Sequence, residues 1–259
     1  MDLEYIKTEV REGVGYIRFD RPDKLNAVNA EVLEQLETAL IACEKDEAVR
    51  AIILTGSKKA FVAGADVGGM AECAITEAYD LTDLTLRVQE RLADYPKPTI
   101  AAVSGFALGA GCEIALCCDF RLAADNAVLG LPEITLGIIP GGGGTQRLPR
   151  LISPSKAARM ILLGELVKAP EALGIGLVDA VFEYENLAGE AASLAGRLAK
   201  MPAVAVRAAK TAMRKGLNVS LKDGLQIEQD LFCMLFGTKD QKEGMKAFLE
   251  KRKPVFCGR

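Results

Sequence analysis

A run of small residues, Gly105–Leu116, constrains the fold of this chain more than any other segment. Its pattern predicts the end of a strand, a tight turn and then a short buried helix. Small residues let another group approach the backbone closely, and a helix start presents unpaired N–H groups at the positive end of its dipole. One acidic residue, Glu113, lies in the first turn of this helix among apolar neighbours. The run is therefore the first candidate for a functional site.

The hydrophobic pattern of the whole chain predicts an α/β region followed by an all-helical region. Two strands, a helix and a further strand near the start indicate ββα-like units. The predicted strands cover residues 3–9, 14–19, 51–54, 99–103, 119–123 and 177–182. The predicted helices cover 30–45, 76–94, 110–118, 154–163, 169–174, 186–200, 202–216, 220–236 and 239–251, and a loop rich in small residues is predicted for 57–70.

The change to a purely helical pattern predicts two parts in the chain. We expect residues 1–195 to form the core that carries the functional site and residues 196–259 to form a helical region. Because this second part has no predicted strands, its apolar helix faces must pack on the core or on a neighbouring subunit.

Composition and charge exclude several classes of function. The formal net charge of −3 argues against general nucleic-acid binding. No apolar run approaches the roughly 18 residues that cross a bilayer, so we predict no membrane-spanning segment. The N-terminal residues are acidic and alternating, unlike a signal peptide, and we expect a cytoplasmic protein. The seven cysteines are scattered, and we expect buried, reduced thiols.

The absence of histidine narrows the chemistry further. It excludes Ser–His and Cys–His nucleophilic sites, and zinc sites of the HExxH type. Proton transfer near pH 7 must therefore use carboxylates, Lys, Tyr, Cys or water.

Two glycine-rich segments fail as nucleotide-binding motifs. The glycines at 141–144 lack the G-x-x-x-x-G-K-[ST] spacing, and Thr145 is followed by Gln146. The segment Gly109–Ile114 fails the G-x-G-x-x-G pattern because Ile114 occupies its last position. We therefore predict a tight turn at 141–144 that packs a helix closely against another backbone.

Two carboxylates, Glu113 and Glu133, are candidates for acid–base work. Taken singly, an acid in an apolar stretch is more often half-exposed or paired with Lys or Arg. In a histidine-free enzyme, two such groups flanking one water can act as general acid and general base. Burial raises carboxyl pKa values, and proximity separates them, so that one group is protonated while the other is ionised. A third acid, Asp66, has a strong competing explanation as a cap or turn residue.

A series of motifs occurs here in the order found in one enzyme family. The motifs are Arg21–Ala27, Phe61–Val67, Lys97-Pro98, Ile100–Val103, Gly105–Glu113, Leu131–Glu133, Gly137–Gly141, Gly144–Leu148, Glu243-Gly244, Ala247-Phe248 and Lys251–Pro254. In these motifs the chain resembles the enoyl-CoA hydratases (crotonases). The resemblance extends over nearly the whole chain.

The resemblance implies a crotonase fold, a ClpP-like α/β spiral of ββα units with a C-terminal helical trimerisation region. It implies a coenzyme A thioester as substrate, no separate cofactor, and a homotrimer or homohexamer. The family's oxyanion-hole N–H groups correspond here to Ala65 and Ala110, and its catalytic glutamates to Glu113 and Glu133. The coenzyme A or substrate contacts that it implies are Lys24, Leu25, Ala27, Ala63, Asp66, Val67 and Gly141.

The presence of both glutamates favours the reversible hydration of a 2-enoyl-CoA to a 3-hydroxyacyl-CoA, as in fatty-acid β-oxidation. Two backbone N–H groups suit the charge that builds on the thioester oxygen, and two carboxylates can activate water and protonate Cα without a metal or redox cofactor. Which glutamate is the base stays open. The alternatives are a cyclic dienoyl-CoA hydratase, a Δ3-Δ2-enoyl-CoA isomerase, and a non-catalytic binding protein with this fold.

Overall fold

The structure of the protein, a computed structural model, describes residues 3–259. Its larger sheet has six strands and its smaller sheet has four. In spatial order the larger sheet contains β1 (Ile6–Arg11), β2 (Val14–Phe19), β3 (Ala51–Thr55), β5 (Thr99–Val103), β7 (Phe120–Ala124) and β10 (Ala180–Phe182). The smaller sheet contains β4 (Ala60–Val62), β6 (Phe106–Leu108), β8 (Val128–Gly130) and β9 (Val167–Lys168). β1 and β2 form an antiparallel hairpin, and the other pairs of the larger sheet are parallel.

The helices follow the strands in a repeating order. They are α1 (Ala30–Lys45), α2 (Ile75–Ala93), α3 (Ala110–Cys117), α4 (Gly144–Leu151), α5 (Pro154–Leu162), α6 (Ala169–Gly174), α7 (Tyr184–Ala199), α8 (Ala203–Gly216), α9 (Leu221–Leu235) and α10 (Lys239–Leu249). Two strands precede each of α1, α2 and α3. In the units that end in α2 and α3, the first strand joins the larger sheet and the second joins the smaller. The predicted ββα repeat is confirmed.

The central strands β3, β5 and β7 of the larger sheet are buried on both faces, which explains their nearly continuous apolar sequences. Successive side chains of a strand point to opposite faces. In β3, Ile52 and Leu54 belong to one core cluster with residues of α1 and α2. Ala51 and Ile53 belong to a second cluster, which includes Leu187 of α7. The sheet is thus held between two helical layers.

The sequence prediction of a loop over residues 57–70 is wrong in part, because β4 lies within it. β6 and β9 were likewise not predicted as separate strands. Each of these strands has two or three residues, too few to show a two-residue alternation. Their pairing depends on partners distant in sequence, so no local pattern indicates them. The first strand also begins at Ile6 rather than at residue 3.

The C-terminal helices are much less buried than the rest of the protein. α8 contributes one buried residue, Lys210, which pairs with Asp119 beyond the end of α3. Within the described chain, α9 contributes none. The predicted boundary at residue 195 falls inside α7, and the division into two parts stays a prediction.

The cysteines are only partly as predicted. All seven are free thiols, and Cys43, Cys112, Cys117 and Cys118 are buried. Cys73, Cys233 and Cys257 are exposed, so the expectation of burial is wrong for them. Cys233, for example, belongs to the unburied helix α9. Across residues 3–259, no helix is long and apolar enough to span a bilayer.

Candidate active site

The short helix α3 carries Glu113 into the interior of the protein. Seven of its eight residues are buried, and Glu113 itself is 2% exposed. The helix lies close to β4 because Gly111 has no side chain: a Cβ there would lie 2.0 Å from the carbonyl oxygen of Val62. The small residues of this run therefore bring a carboxylate and a strand backbone together.

A glycine turn that leads into α4 holds the Glu113 carboxylate. The N–H groups of Gly142 and Gly144 each donate to Oε1 of Glu113 at 2.8 Å. Arg147 on α4 fixes this turn by donating to the carbonyl oxygen of Gly142 at 2.8 Å. Burial raises the pKa of Glu113, whereas the two N–H groups and the nearby Arg147 favour the ionised form. The predicted tight turn at 141–144 thus binds a carboxylate.

The second candidate, Glu133, lies in a different electrostatic environment. It is in a 3₁₀ helix, Pro132–Leu136, and its Oε1 lies 2.9 Å from the position a Cβ would occupy on Gly109. Its Oε2 is buried, and no hydrogen-bond partner for it exists within residues 3–259. Burial, with a smaller contribution from Glu113, raises the pKa of Glu133 to about 7. The two glutamates are therefore near enough to interact, and Glu113 differs in accepting two hydrogen bonds from the backbone of a distant turn.

The two predicted oxyanion-hole residues follow glycines that lie side by side. A Cβ on Gly109 would be 3.8 Å from Cα of Gly64, and both glycines have positive φ angles, +50° and +131°. Ala110 is the first residue of α3, where an N–H group has no acceptor within the helix. Ala65 and Val28 form an isolated parallel β-bridge. The hydrogen bonds of this bridge use the N–H groups of Val28 and Asp66, and the N–H group of Ala65 is not among them. Two adjacent loops thus each offer a backbone donor.

A loop between β2 and α1 packs beside Ala65. Leu25 and Asn26 have positive φ angles of 49° and 60°. The carbonyl oxygen of Leu25 accepts the N–H of Ala63 at 3.1 Å, which joins the loop to the segment after β4. Buried Asn26 reinforces the junction, because its Nδ2 donates to the carbonyl oxygens of Ala60 and Phe61 at 2.9 and 3.1 Å.

The structure brings most of the predicted coenzyme A contacts together. Asp66 pairs with Arg21 at 3.0 Å, and Arg21 also donates to the carbonyl oxygen of Ala27 at 2.9 Å. Lys24, Leu25 and Val67 are exposed around this junction. Gly141 belongs instead to the turn that holds Glu113, where a Cβ would lie 3.4 Å from Thr82 of α2. A role in binding stays a prediction for each of them.

Several residues of the site were not predicted from the sequence. The sequence predicts Gly142 only as part of a tight turn, and Gly144 and Arg147 belong to a motif of the family resemblance without an assigned role. Asn26 was part of a motif but had no role assigned, although Asn tolerates positive φ well. Gln89, buried beside Glu113, interrupts the apolar face of α2, and this interruption is the sequence signal that could have indicated a polar role for it.

Among the described residues, no group of three or more His, Cys, Asp or Glu side chains is placed to hold a metal ion.

Comparison with known proteins identifies the family. A family model described as enoyl-CoA hydratase/isomerase matches residues 9–259. A crotonyl-CoA hydratase of Syntrophomonas wolfei is 44% identical over 260 residues, covering 100% of both chains. The 2,3-dehydroadipyl-CoA hydratase of Escherichia coli is 45% identical over 243 residues, covering 94% of each. The crystal structure of an enoyl-CoA hydratase from Bacillus anthracis has a TM-score of 0.94 at 39% identity, covering 99% of this chain and 100% of that one.

The fold is therefore that of the crotonases. The chain belongs to the enoyl-CoA hydratase/isomerase family, and its relatives support enoyl-CoA hydratase activity, a lyase reaction. The fold class and the enzyme class predicted from the sequence are confirmed.

Proposed function

We propose that this protein reversibly adds water across the 2,3 double bond of a 2-enoyl-CoA, with Glu113 and Glu133 as its acid–base pair. The observation that carries the proposal is the contrast between the two carboxylates. Glu113 accepts two backbone N–H bonds, whereas Oε2 of Glu133 is buried without a partner in the described chain. A single proton shared by this pair therefore resides on Glu133.

The assignment of roles follows from that proton. Ionised Glu113 is the general base and removes a proton from water as its oxygen bonds to C3 of the substrate. Protonated Glu133 is the general acid and delivers its proton to C2. The double bond is lost, one water is added, and a proton must pass from Glu113 to Glu133, directly or through solvent, before the next turnover.

The thioester oxygen gains negative charge between these steps, and the N–H groups of Ala65 and Ala110 are proposed to stabilise it. The Ala110 donor lies at the positive end of α3, which adds a favourable dipole. Loss of one donor of this kind typically costs on the order of 3 kcal/mol in the activation barrier. Because both donors belong to the backbone, their alanine side chains need only leave room for the thioester.

The coenzyme A moiety is proposed to bind along the junction of residues 24–27 with residues 63–67. Lys24 supplies an exposed cation for a phosphate group, and Leu25 an apolar surface for the adenine. The Arg21–Asp66 ion pair keeps the two segments together. The reaction needs no cofactor besides the coenzyme A that the substrate carries. We further propose a cytoplasmic homotrimer or homohexamer.

An assay with crotonyl-CoA tests the proposed function. Hydration removes the conjugated double bond, so the absorbance of the enoyl thioester falls, and the wild-type protein is expected to show this loss. Parallel assays use a longer 2-enoyl-CoA, 2,3-dehydroadipyl-CoA, a cyclic dienoyl-CoA and a 3-enoyl-CoA, which separate hydratase from isomerase activity. Tight binding of coenzyme A thioesters with no turnover of any would contradict the proposal and favour a binding protein.

A further inference from the structure

A buried amide on α2 has an unused donor beside the proposed base. Gln89 is 1% exposed and is flanked by the buried apolar residues Val88, Leu92 and Ala93. Its Nε2 finds no acceptor anywhere in residues 3–259. A buried donor without a partner is destabilising, so such a group at a functional site requires an explanation.

The position of Gly142 shows what this amide faces. A Cβ on Gly142 would lie 2.4 Å from Nε2 of Gln89 and 2.6 Å from Oε2 of Glu113. The two atoms therefore border one small space, and the sum of those distances limits their separation to 5.0 Å. Both backbone N–H bonds to Glu113 end on Oε1, so Oε2 is the oxygen of this carboxylate that the glycine turn leaves for another donor.

A thiol on α3 determines which end of the amide faces Glu113. Sγ of Cys117 lies 3.7 Å from Oε1 of Gln89 and 3.2 Å from the carbonyl oxygen of Glu113. Burial raises the pKa of Cys117 to about 12, so the group is a neutral S–H donor near pH 7. Oε1 of Gln89 lies on the side of the thiol, so the NH₂ end of the amide is directed toward the carboxylate.

We propose that Gln89 is a positioning residue for Glu113, with Nε2 donating to Oε2 of the ionised carboxylate while the Gly142 and Gly144 N–H groups hold Oε1. The role rests on the proposed function of Glu113 as the base. It assigns the third donor of a carboxylate that is otherwise held by the main chain alone. The two atoms are at most 5.0 Å apart, so a small movement of the amide end brings them within hydrogen-bond distance.

The electrostatics of the site agree with this arrangement. A hydrogen bond from Gln89 favours the ionised form of Glu113 and so lowers its pKa, against the larger effect of burial. The other titratable or charged groups that act on Glu113 or respond to it are Arg147, Glu133, Cys112 and Cys117. Of these, Arg147 is already paired with Glu90 and with the carbonyl oxygen of Gly142.

The test replaces Gln89 by methionine, which keeps the length and most of the volume but has no donor. The acidic limb of the pH profile of kcat/KM for crotonyl-CoA is expected to move up by about one pH unit, because a lost hydrogen bond to a carboxylate raises its pKa. KM is expected to change less than twofold. The matched control is Val88→Ala, which removes buried volume from the neighbouring position of α2 and should leave the limb in place.

A second measurement reads Glu113 without any turnover. Infrared difference spectra between the wild type and Glu113→Gln report the ionised carboxylate across pH, and the same titration in a Gln89→Met background should shift upward. Cys117→Ala should shift it in the same direction by less. An unchanged titration in Gln89→Met, or an equal shift in Val88→Ala, would overturn the proposal. An inactive wild type with a normal infrared shift would instead refute only the hydratase function.

Discussion

Helices α3 and α9 represent two different ways of using apolar residues. α3 has eight residues, of which seven are buried, and its one acid is held by the backbone of a distant turn. α9 has 15 residues, none buried in the structure as described, and exposes Leu221, Leu225 and Phe232. Between α8 and α9 lies a groove of about 490 Å³ lined mostly by Ala, Leu, Gly and Met. The described chain therefore brings the two candidate glutamates together but leaves an apolar surface exposed, which is typical of a surface that binds another protein.

The largest effect is expected in the candidate active site, where Glu133 lies near Glu113 of α3. Glu133→Gln keeps the shape of the side chain but cannot donate a proton to carbon, so kcat should fall by about a thousandfold. Affinity for a non-reactive acyl-CoA, measured by calorimetry, should change little. The control is Glu47→Gln, an exposed acid outside the site. Full turnover by Glu133→Gln would contradict the two-carboxylate mechanism.

A pair of glycine substitutions tests whether close packing is confined to α3. Gly111→Ala places a Cβ 2.0 Å from the carbonyl oxygen of Val62, and we expect it to lower the free energy of unfolding by about 3 kcal/mol. Gly189→Ala, in exposed surroundings on α7, meets no atom within 4 Å and should raise it by about 0.5–1 kcal/mol. Urea titrations measure both. Equal effects would show that α3 is not packed as described.

A charge in the groove between α8 and α9 tests whether this apolar surface is a contact between subunits. Leu225→Glu should weaken self-association at least tenfold, because an unpaired carboxylate would be buried at the contact. Gln226→Glu introduces the same charge on α9 outside the groove and should leave association unchanged. Light scattering gives the mass of each variant, and circular dichroism checks that the subunit is folded. A monomeric wild type would contradict the oligomer that we propose.

The smallest effect concerns stability as a function of pH. The pKa of Glu133 is about 7 in the folded protein against an ordinary value of 4.5, so the folded state binds the proton more tightly. Ionised Glu133 therefore destabilises the fold above pH 7, and this cost fades as pH falls from 7 toward 4.5. Glu133→Gln should unfold a few degrees higher than the wild type at pH 8 and show a smaller difference at pH 5. A difference that grows on acidification would contradict the raised pKa.

The long elements of the fold were predictable because their patterns are local. The predicted helix 30–45 agrees with α1 to the residue, and the predicted strand 99–103 agrees with β5 to the residue. β4, β6 and β9 were not, because strands of two or three residues acquire their identity from pairing across the smaller sheet. A local pattern likewise cannot predict the role that we propose for Gln89, because that role depends on a glycine turn 53 positions later, at Gly142.

The candidate site divides in the same way. Glu113 and Glu133 attract notice as acids in apolar stretches, and the family resemblance supplies Ala65 and Ala110. The sequence does not reveal that Glu113 accepts two N–H bonds while Oε2 of Glu133 has no partner in the described chain. The acid and base roles that we propose depend on these contacts, which the sequence does not show.

The glycine turn at 142–144 determines which mutations the contact with Glu113 tolerates. Its hydrogen bonds to Glu113 come from the main chain, which every residue except proline retains after a missense change. Substitution at these positions therefore acts through bulk: a Cβ at Gly142 meets Glu113 and Gln89, and one at Gly144 meets Leu131 at 2.8 Å. Insertions, deletions and larger residues are the changes that selection must remove here, since no functional side chain exists at either position to be lost.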